Sequence, residues 1–522
     1  MDHEDIKTNL EGTLDYSDIK LKGLTKCEPS GEQLTFQGYK RADGQVGIRN
    51  EVWVIPTVGC VNGIIKQIVE RTQAELGKEI PGIDVIFHQI MPDMFADFPR
   101  FVGSVAHVME KEGAMSETFA VMGDAIPPDH MRYIMEEQVL RGIDTFFLYT
   151  FHCFGYGADP NVGTFTRDLM TRVGDTAELL HGSNAQVALL VPLRDIAGER
   201  ACLNPHLVNG SPLSWERLDL TARELCYAPI DYEYVYEEGL DGLYEKGFRH
   251  LVVCGWMNEA AKRAAQRFCE KGGRLYCVYH RYAENAAFFY SAHDLVKSLP
   301  REVSFAGRHC IAMRSAQTPQ GPLFAFLNES NDADTVTASF PSGRWSQRIN
   351  GEWCEIDAHT LRFAPRELKL VRPFAAADQP KATDTGALTI SAWTFCPDGG
   401  TPRELTAPIA WEELAKEFDV FTGWGTYTAA FDWQGGMAEI DLGEVGFSAL
   451  VTVGDLTARL PFSPWTARMD LPAGRHTITI RVLNSNANEI MTRKPTSNYD
   501  FYYKKSGLLQ PVTIRPVPAA MQ

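Results

Sequence analysis

The side chains of this sequence that could do chemistry are thinly spread. Cys60 stands in the turn Gly59-Cys60-Val61-Asn62, between an apolar run and a helical pattern. A helix N-terminus favours the thiolate and so can make a nucleophile of such a residue. No base accompanies Cys60 in the nearby sequence, and it reads as a small packed residue. His88 lies in one apolar run and His152 directly after another. An imidazole there can meet a ligand hydroxyl or a structural hydrogen-bond partner. The structural role is the stronger expectation for both, with His152 kept as a substrate contact. Trp424, Trp433 and Trp465 could stack on ligand C–H faces, yet core packing explains them better. Glu110, Glu112, Glu136 and Glu137 read as solvated helix faces.

The elements that must position these groups follow from periodicity. The run Val52 to Val58 predicts a strand, and Ile64, Ile65, Ile68 and Val69 at helical spacing predict a helix ending near Gly77. The alternation continues with strand Val85–Ile90, helix Phe98–Glu112, strand Met115–Val121, helix Asp129–Arg141 and strand Thr145–Phe151. Strands alternating with helices imply parallel pairing with helical crossovers. A second α/β region has strands at Val187–Val191, His250–Cys254 and Arg274–Tyr279 and a helix at Glu259–Glu270; it is expected to be a flavodoxin-like layer domain. Beyond Val303 short alternating segments separated by turn residues predict a β-sandwich. A linker or exposed loop is expected between Pro373 and Thr389, and a last β-rich module from Ser391 to Val517.

Composition narrows the classes. A chain of 522 residues is long for one core, and three or four domains are expected. No apolar run approaches the ~18 residues of a membrane span, and the acidic start Met-Asp-His-Glu-Asp does not read as a secretory signal. The eleven cysteines include no Cys-x-x-Cys pair, which points to reduced thiols and a cytoplasmic setting. The formal charge of −17 disfavours nucleic acid and membrane surfaces as partners.

Five segments of the last module come in order: Gly425-Thr-Tyr-Thr-Ala-Ala-Phe, Glu439-Ile-Asp-Leu-Gly-Glu-Val, Pro472-Ala-Gly-Arg-His-Thr-Ile-Thr-Ile-Arg-Val, Asn484-Ser-Asn-Ala-Asn and Ser506-Gly-Leu-Leu-Gln-Pro-Val. Together they resemble the galactose-binding-like jelly roll of large glycoside hydrolases. Two departures are Val453-Gly454, where the family has Val-Asn-Gly, and Gln510, where it has Gly. More loosely, residues 80–300 resemble the end of a (β/α)8 barrel and the layer domain behind it in glycosidases related to α-L-rhamnosidases and β-galactosidases. In that frame Val85–Ile90, Met115–Val121 and Thr145–Phe151 would be strands six, seven and eight, with the active face at their C-terminal ends. The resemblance implies that Glu117 is a catalytic carboxylate. It gives no second member of the pair such enzymes need, and residues before 80 leave no room for the earlier strands, so a partial barrel is expected.

The run Phe36-Gln-Gly-Tyr-Lys-Arg-Ala-Asp-Gly-Gln-Val-Gly-Ile-Arg-Asn, followed by Pro56-Thr-Val-Gly-Cys-Val-Asn, is the most specific local motif. It resembles altronate and galactarate dehydratases. The resemblance implies substrate or metal contacts at Arg41, Asp43, Arg49 and Asn50, with a divalent metal steadying an enolate.

The expected fold class is thus multidomain α/β plus β. Residues 1–79 would be a dehydratase-like fragment, 80–180 a partial barrel-like region and 181–300 the flavodoxin-like domain. Residues 301–375 would form the β-sandwich and 391–517 the jelly roll. Three functions are ranked in order. The first is a glycoside-hydrolase-like protein of weak or no activity, without a cofactor and acting on a sugar or oligosaccharide. The second is a non-catalytic carbohydrate-binding protein, and the third a metal-dependent hexonate dehydratase. A fusion near residue 80 would explain two signatures in one chain. A four-strand parallel layer over 51–151 would leave open edges that invite homo-oligomers.

Overall fold

Short runs of β-branched and aromatic residues become strands throughout the chain. The structure, a computed structural model, describes residues 39–40, 46–47, 51–54, 71, 85–88, 98–108, 114–118, 128–143, 145–148, 162–196, 213–446, 448–484 and 505–518. The chain divides into two compact units, Met1–Pro92 and Asp93–Gln522.

In the first unit β1 (Tyr39–Lys40) pairs antiparallel with β2 (Val46–Gly47), and β3 (Glu51–Val54) pairs in parallel with β4 (Val85–His88). The second unit opens with α1 (Phe98–Val108), β5 (Ala114–Thr118), α2 (Pro128–Leu140), β6 (Thr145–Leu148) and α3 (Val162–Leu179). Strands β5 and β6 pair in parallel. The single layer expected across 51–151 is therefore divided between the two units.

The next segment contains β7 (Val187–Leu190), α4 (Leu213–Tyr227), β8 (Tyr232–Val235), β9 (His250–Val253), α5 (Glu259–Glu270), β10 (Arg274–Val278), β11 (Ala287–Phe289) and α6 (Ala292–Ser298). Its five strands are all parallel in the order β8-β7-β9-β10-β11, a 2-1-3-4-5 arrangement found in doubly wound layers. Every residue of β7, β8 and β9 is buried, as a parallel sheet covered on both faces requires. Helix α5 begins where the Asn258 side chain accepts from Ala261 N at 2.8 Å, and it turns Ala261, Ala264, Ala265 and Phe268 inward. A Cβ on Gly273 would lie 2.2 Å from the Phe268 ring, so only glycine lets the chain pass into β10 there.

From Ser304 the chain is almost entirely β. The strands are β12 (Ser304–Phe305), β13 (Ile311–Thr318), β14 (Gly321–Asn328), β15 (Asp334–Ser339), β16 (Trp345–Ile349), β17 (Glu352–Ile356), β18 (Thr360–Phe363) and β19 (Leu368–Pro373). They form a five-stranded sheet, β13-β14-β19-β16-β17, and a three-stranded sheet, β12-β15-β18. Alternation sends Phe324, Phe326, Ile311, Met313 and Val371 into a core with Val336, Ala338, Leu361 and Phe363 of the smaller sheet. The intervening residues Leu323, Ala325 and Leu327 pack the opposite way, into a core shared with α2, α3, α4 and β7. Residues 374–389, expected as a linker or exposed loop, are mostly exposed but pinned at several points, among them Asp378, Gln379 and the short strand Leu388–Thr389 that pairs with Thr513 and Ile514. Asp378 accepts from Arg372 at 2.7 and 2.9 Å and from Ser346 Oγ at 2.7 Å.

The C-terminal module is built on two 18-residue strands, Trp424–Asp441 and Thr466–Leu483, paired antiparallel along their length. Flanking strands extend them into an eight-stranded sheet. Trp433 and Trp465 lie in its core, together with Tyr427 and Trp411. The Tyr427 hydroxyl accepts from Trp411 Nε1 at 2.7 Å and from Leu508 N at 3.2 Å, satisfying the polar atoms that burial would otherwise penalise. The departure at Val453-Gly454 is a two-residue hairpin turn in which Gly454 takes φ +58°, a conformation open to glycine without strain.

Phe326 is fully buried between the two sheets of the sandwich. Truncating a buried Phe costs about 3–5 kcal/mol through lost transfer energy and an unfilled cavity. Phe326→Ala is expected to lower the thermal midpoint by several degrees; an unchanged melt would show that this core does not limit stability.

Candidate functional site

The candidate site is assembled from α1 upward. Arg100 on α1 is 1% exposed. Its guanidinium donates to Tyr232 O at 2.7 Å and Met313 O at 3.2 Å, faces Asp231 at 3.4 Å and lies 4.4 Å from the centre of the Tyr232 ring. In the last turn of the same helix, His107 Nδ1 lies 2.5 Å from Glu233 Oε2. These contacts lock α1 to β8 and, through Met313, to β13.

The two carboxyls of that strand respond differently to burial. For Asp231, burial pushes the carboxyl up, against the opposing pull of Arg100, Arg314 and two 2.8 Å hydrogen bonds from Ser315. For Glu233, burial also works upward. The His107 hydrogen bond and charge, with Arg314 and Ser183, outweigh it and hold the carboxyl below its ordinary range.

Helix α1 leads into β5, where the register with β6 breaks. Met115 pairs with Phe146 and Thr118 with Leu148, so Ser116 and Glu117 together stand opposite the single Phe147. This is a β-bulge in a parallel pair at the C-terminal end of the strand, a device that re-aims a residue beside a site. Glu117 is one of the two residues of this bulge, and its side chain lies outside the described residues.

Helices α2 and α3 are held by buried charge. Glu136 is buried, in contrast to the solvated face expected for it, and bonds Arg132 on one side and Arg172 Nε at 2.6 Å on the other. Arg132 also donates to Arg366 O at 2.9 Å, and Arg172 to Ser463 O at 2.7 Å. Arg141 bonds Glu329. The helices are thus fastened both to the sandwich and to the C-terminal module.

In doubly wound sheets, ligands bind beyond the carboxyl ends of strands where the order reverses, here between β7 and β9. That crevice is closed. A Cβ on Gly255 would lie 2.2 Å from Pro192 Cβ, Asp195 accepts from Trp256 N at 2.6 Å and Glu237 accepts from Asn258 Nδ2 at 2.7 Å.

Of the other residues proposed from sequence, His88 is the last residue of β4. Arg41, Asp43, Arg49, Asn50, Cys60 and His152 lie outside the described residues. Among the described residues no three His, Cys, Asp or Glu side chains converge as a metal site would require, Cys254, Cys269, Cys277, Cys310, Cys354 and Cys396 are free thiols and no helix is long and apolar enough to cross a membrane. The sequence reading did not single out Arg100, His107, Asp231 or Glu233. Their partners are as far as 213 residues away, and no local spacing records such pairs.

Residues 38–93 match the family described as D-galactarate dehydratase/Altronate hydrolase, second domain. The chain is 42% identical over 89 residues to altronate dehydratase of Bacillus subtilis (strain 168), covering 16% of this chain and 17% of that protein. To altronate dehydratase of Escherichia coli (strain K12) it is 53% identical over 51 residues, covering 10% of each. The chain thus spans less than a fifth of these relatives.

By structure it is similar to a rhamnosidase from Novosphingobium sp. PP1Y, with TM-score 0.52 and 16% identity over 80% of this chain and 49% of that one. A β-galactosidase from Bacillus circulans sp. alkalophilus gives TM-score 0.39 and 12% identity over 56% of this chain and 60% of that one. The N-terminal part is therefore dehydratase-like in sequence, and four fifths of the chain shares a fold with a glycoside hydrolase over about half of that enzyme's length. Both resemblances drawn from the sequence are found.

A carboxyl held below its ordinary range contributes stability that is present above the unfolded carboxylate range and lost as pH falls through the folded value. Glu233→Gln is expected to lower the melting temperature near neutrality and to flatten its decline between about pH 5 and pH 2. Parallel melting curves for both proteins would remove the His107–Glu233 contact from the acid response.

Proposed function

We propose that the chain is a carbohydrate-active, cytoplasmic protein whose second unit is arranged as the rear part of a glycosidase. In this reading β5 and β6 belong to a partial (β/α) barrel, residues 181–300 to a flavodoxin-like layer, 301–375 to a sandwich and 391–517 to a galactose-binding-like jelly roll. Glu117 is one carboxylate of the reacting pair. The bulge opposite Phe147 carries the reading, because it falls at the strand end where barrel enzymes keep catalytic groups.

Glycoside cleavage needs two carboxyl groups, ~5–5.5 Å apart when configuration is retained and ~6.5–9.5 Å apart when it is inverted. As nucleophile or general base, Glu117 would attack the anomeric carbon or deprotonate a water, and the second carboxyl would protonate the leaving oxygen. The substrate is a sugar or oligosaccharide, and the reaction needs no cofactor.

A second reading is favoured by the family match over residues 38–93. There Arg41, Asp43, Arg49 and Asn50 contact a hexonate, and a divalent cation, when bound, supplies Lewis-acid stabilisation of an enolate. Chelator-sensitive formation of a 2-keto-3-deoxy acid from altronate or galactarate would favour this reading over the first.

The deciding experiment is hydrolysis of aryl glycosides by the full chain and by Glu117→Gln. Turnover by the parent with a loss of about 10²–10⁴-fold in the variant is expected. Equal turnover by the two would dismiss Glu117. Saturable sugar binding with no turnover by either would replace hydrolysis by carbohydrate binding.

A further inference from the structure

Helix α3 presents two polar stripes at i, i+4 spacing: Arg167, Thr171 and Asp175, and beside them Asp168, Arg172 and Thr176. Both stripes line a cavity of about 350 Å³. Its other walls come from the sandwich, through Arg348 and Leu370, and from the C-terminal module, through Arg459 and the segment Pro461 to Pro464. This volume is at the small end of the ~300–1,000 Å³ range of small-molecule pockets. Three parts of the second unit meet here, a common position for such pockets.

The charges lining the cavity do not cancel. Arg172 pairs with Glu136 at 2.6 Å, Arg459 with Asp168 at 2.6 Å and Arg348 with Asp175 at 3.4 Å. Each pair uses one lining carboxylate. Arg167 is a fourth guanidinium, exposed, with no ion-pair or hydrogen-bond partner among the described residues. A protein with formal charge −17 has thus gathered four cations against three anions in one concavity. A guanidinium is a fixed, planar donor suited to a carboxylate. Leu370, Pro461 and Pro464 add apolar lining to the same cavity, and the exposed Thr171 adds a hydroxyl.

We propose that this cavity binds a monosaccharide acid, with its carboxylate on Arg167 and a C–H face of the ring against the Leu370–Pro461–Pro464 wall. One anionic group, several hydroxyls and an apolar face match the single spare cation, the polar stripes and the wall. A neutral sugar would leave Arg167 unanswered, and a simple anion would leave the wall unused. The site does not involve Glu117 and stands whether or not the chain cleaves glycosides.

The test is calorimetric titration of the full chain with galacturonate, galactose and acetate. Saturable binding of galacturonate is expected, at least tenfold tighter than galactose or acetate. Arg167→Ala should weaken it at least tenfold and Arg167→Lys less, while Glu117→Gln leaves it unchanged. Arg167 lies on the exposed side of a long helix, so an unaltered melting temperature should accompany its substitution. If Arg167→Ala does melt early, Arg167→Lys carries the test, and unweakened binding by it in a melt-matched sample overturns the proposal. Absence of saturable galacturonate binding, equal affinity for galactose or acetate, or binding indifferent to Arg167→Ala would each overturn it as well.

Discussion

The second unit depends on one sheet whose two faces are both buried. Strands β13, β14 and β19 send alternate residues into different cores. Phe324 and Phe326 go to the sandwich, while Leu323, Ala325 and Leu327 go to the layer built on α2, α3, α4 and β7. An antiparallel sheet commonly leaves one face to water. Here the second face carries the helical layer, so the relative placement of sandwich and α/β region is set by side chains that alternate along a single strand. A one-residue slip of β14 would exchange its two hydrophobic sets, and both cores would lose their fit together.

Burying that second face also encloses charge, which explains the ionic character of the contact. Arg100, Arg132, Glu136, Asp231 and Glu233 are all buried polar residues, and an isolated charge in such a place would cost several kcal/mol. Each is answered by a partner from another element: Arg100 by the carbonyls of Tyr232 and Met313, Arg132 by the carbonyl of Arg366, Glu136 by Arg172, Asp231 by Ser315 and Glu233 by His107. These pairs add little net stability over apolar replacements, but losing one partner strands the other. Their effect is to specify one docking geometry, and that geometry holds α1, and behind it β5, in place.

Much of the scaffold was legible in the sequence because burial and periodicity agree there. Val187–Val191, His250–Cys254 and Arg274–Tyr279 read as strands and are strands, and the β-rich character beyond Val303 is found as expected. Tyr232–Val235 went unread because Glu233 interrupts an otherwise apolar run, although the strand is buried along its whole length. Helix α4 had a readable signal in Trp215, Leu218, Ala222 and Leu225 at helical spacing. Glu136 was misread because a carboxylate on a helix is usually solvated, and nothing near it shows that Arg172 will close over it. Long-range pairs such as Arg141 with Glu329 or Arg459 with Asp168 have no local trace. The bulge at Ser116–Glu117 had none either, since its extra residue is visible only against the register of β6.

That bulge bears most directly on function. In a regular parallel pair Met115 and Thr118 would face residues three positions apart on β6, whereas here their partners, Phe146 and Leu148, are two apart. The extra residue forfeits ladder hydrogen bonding, at about 0.5–1.5 kcal/mol for each bond left unmade in the native state, in a strand only five residues long. Nothing in the packing of α1 on β8 requires it, because those contacts end at His107, before β5 begins. The clamp around Arg100 fits the proposed role of Glu117, for a residue in a short, irregular strand is held more firmly when the helix leading into that strand is itself immobilised.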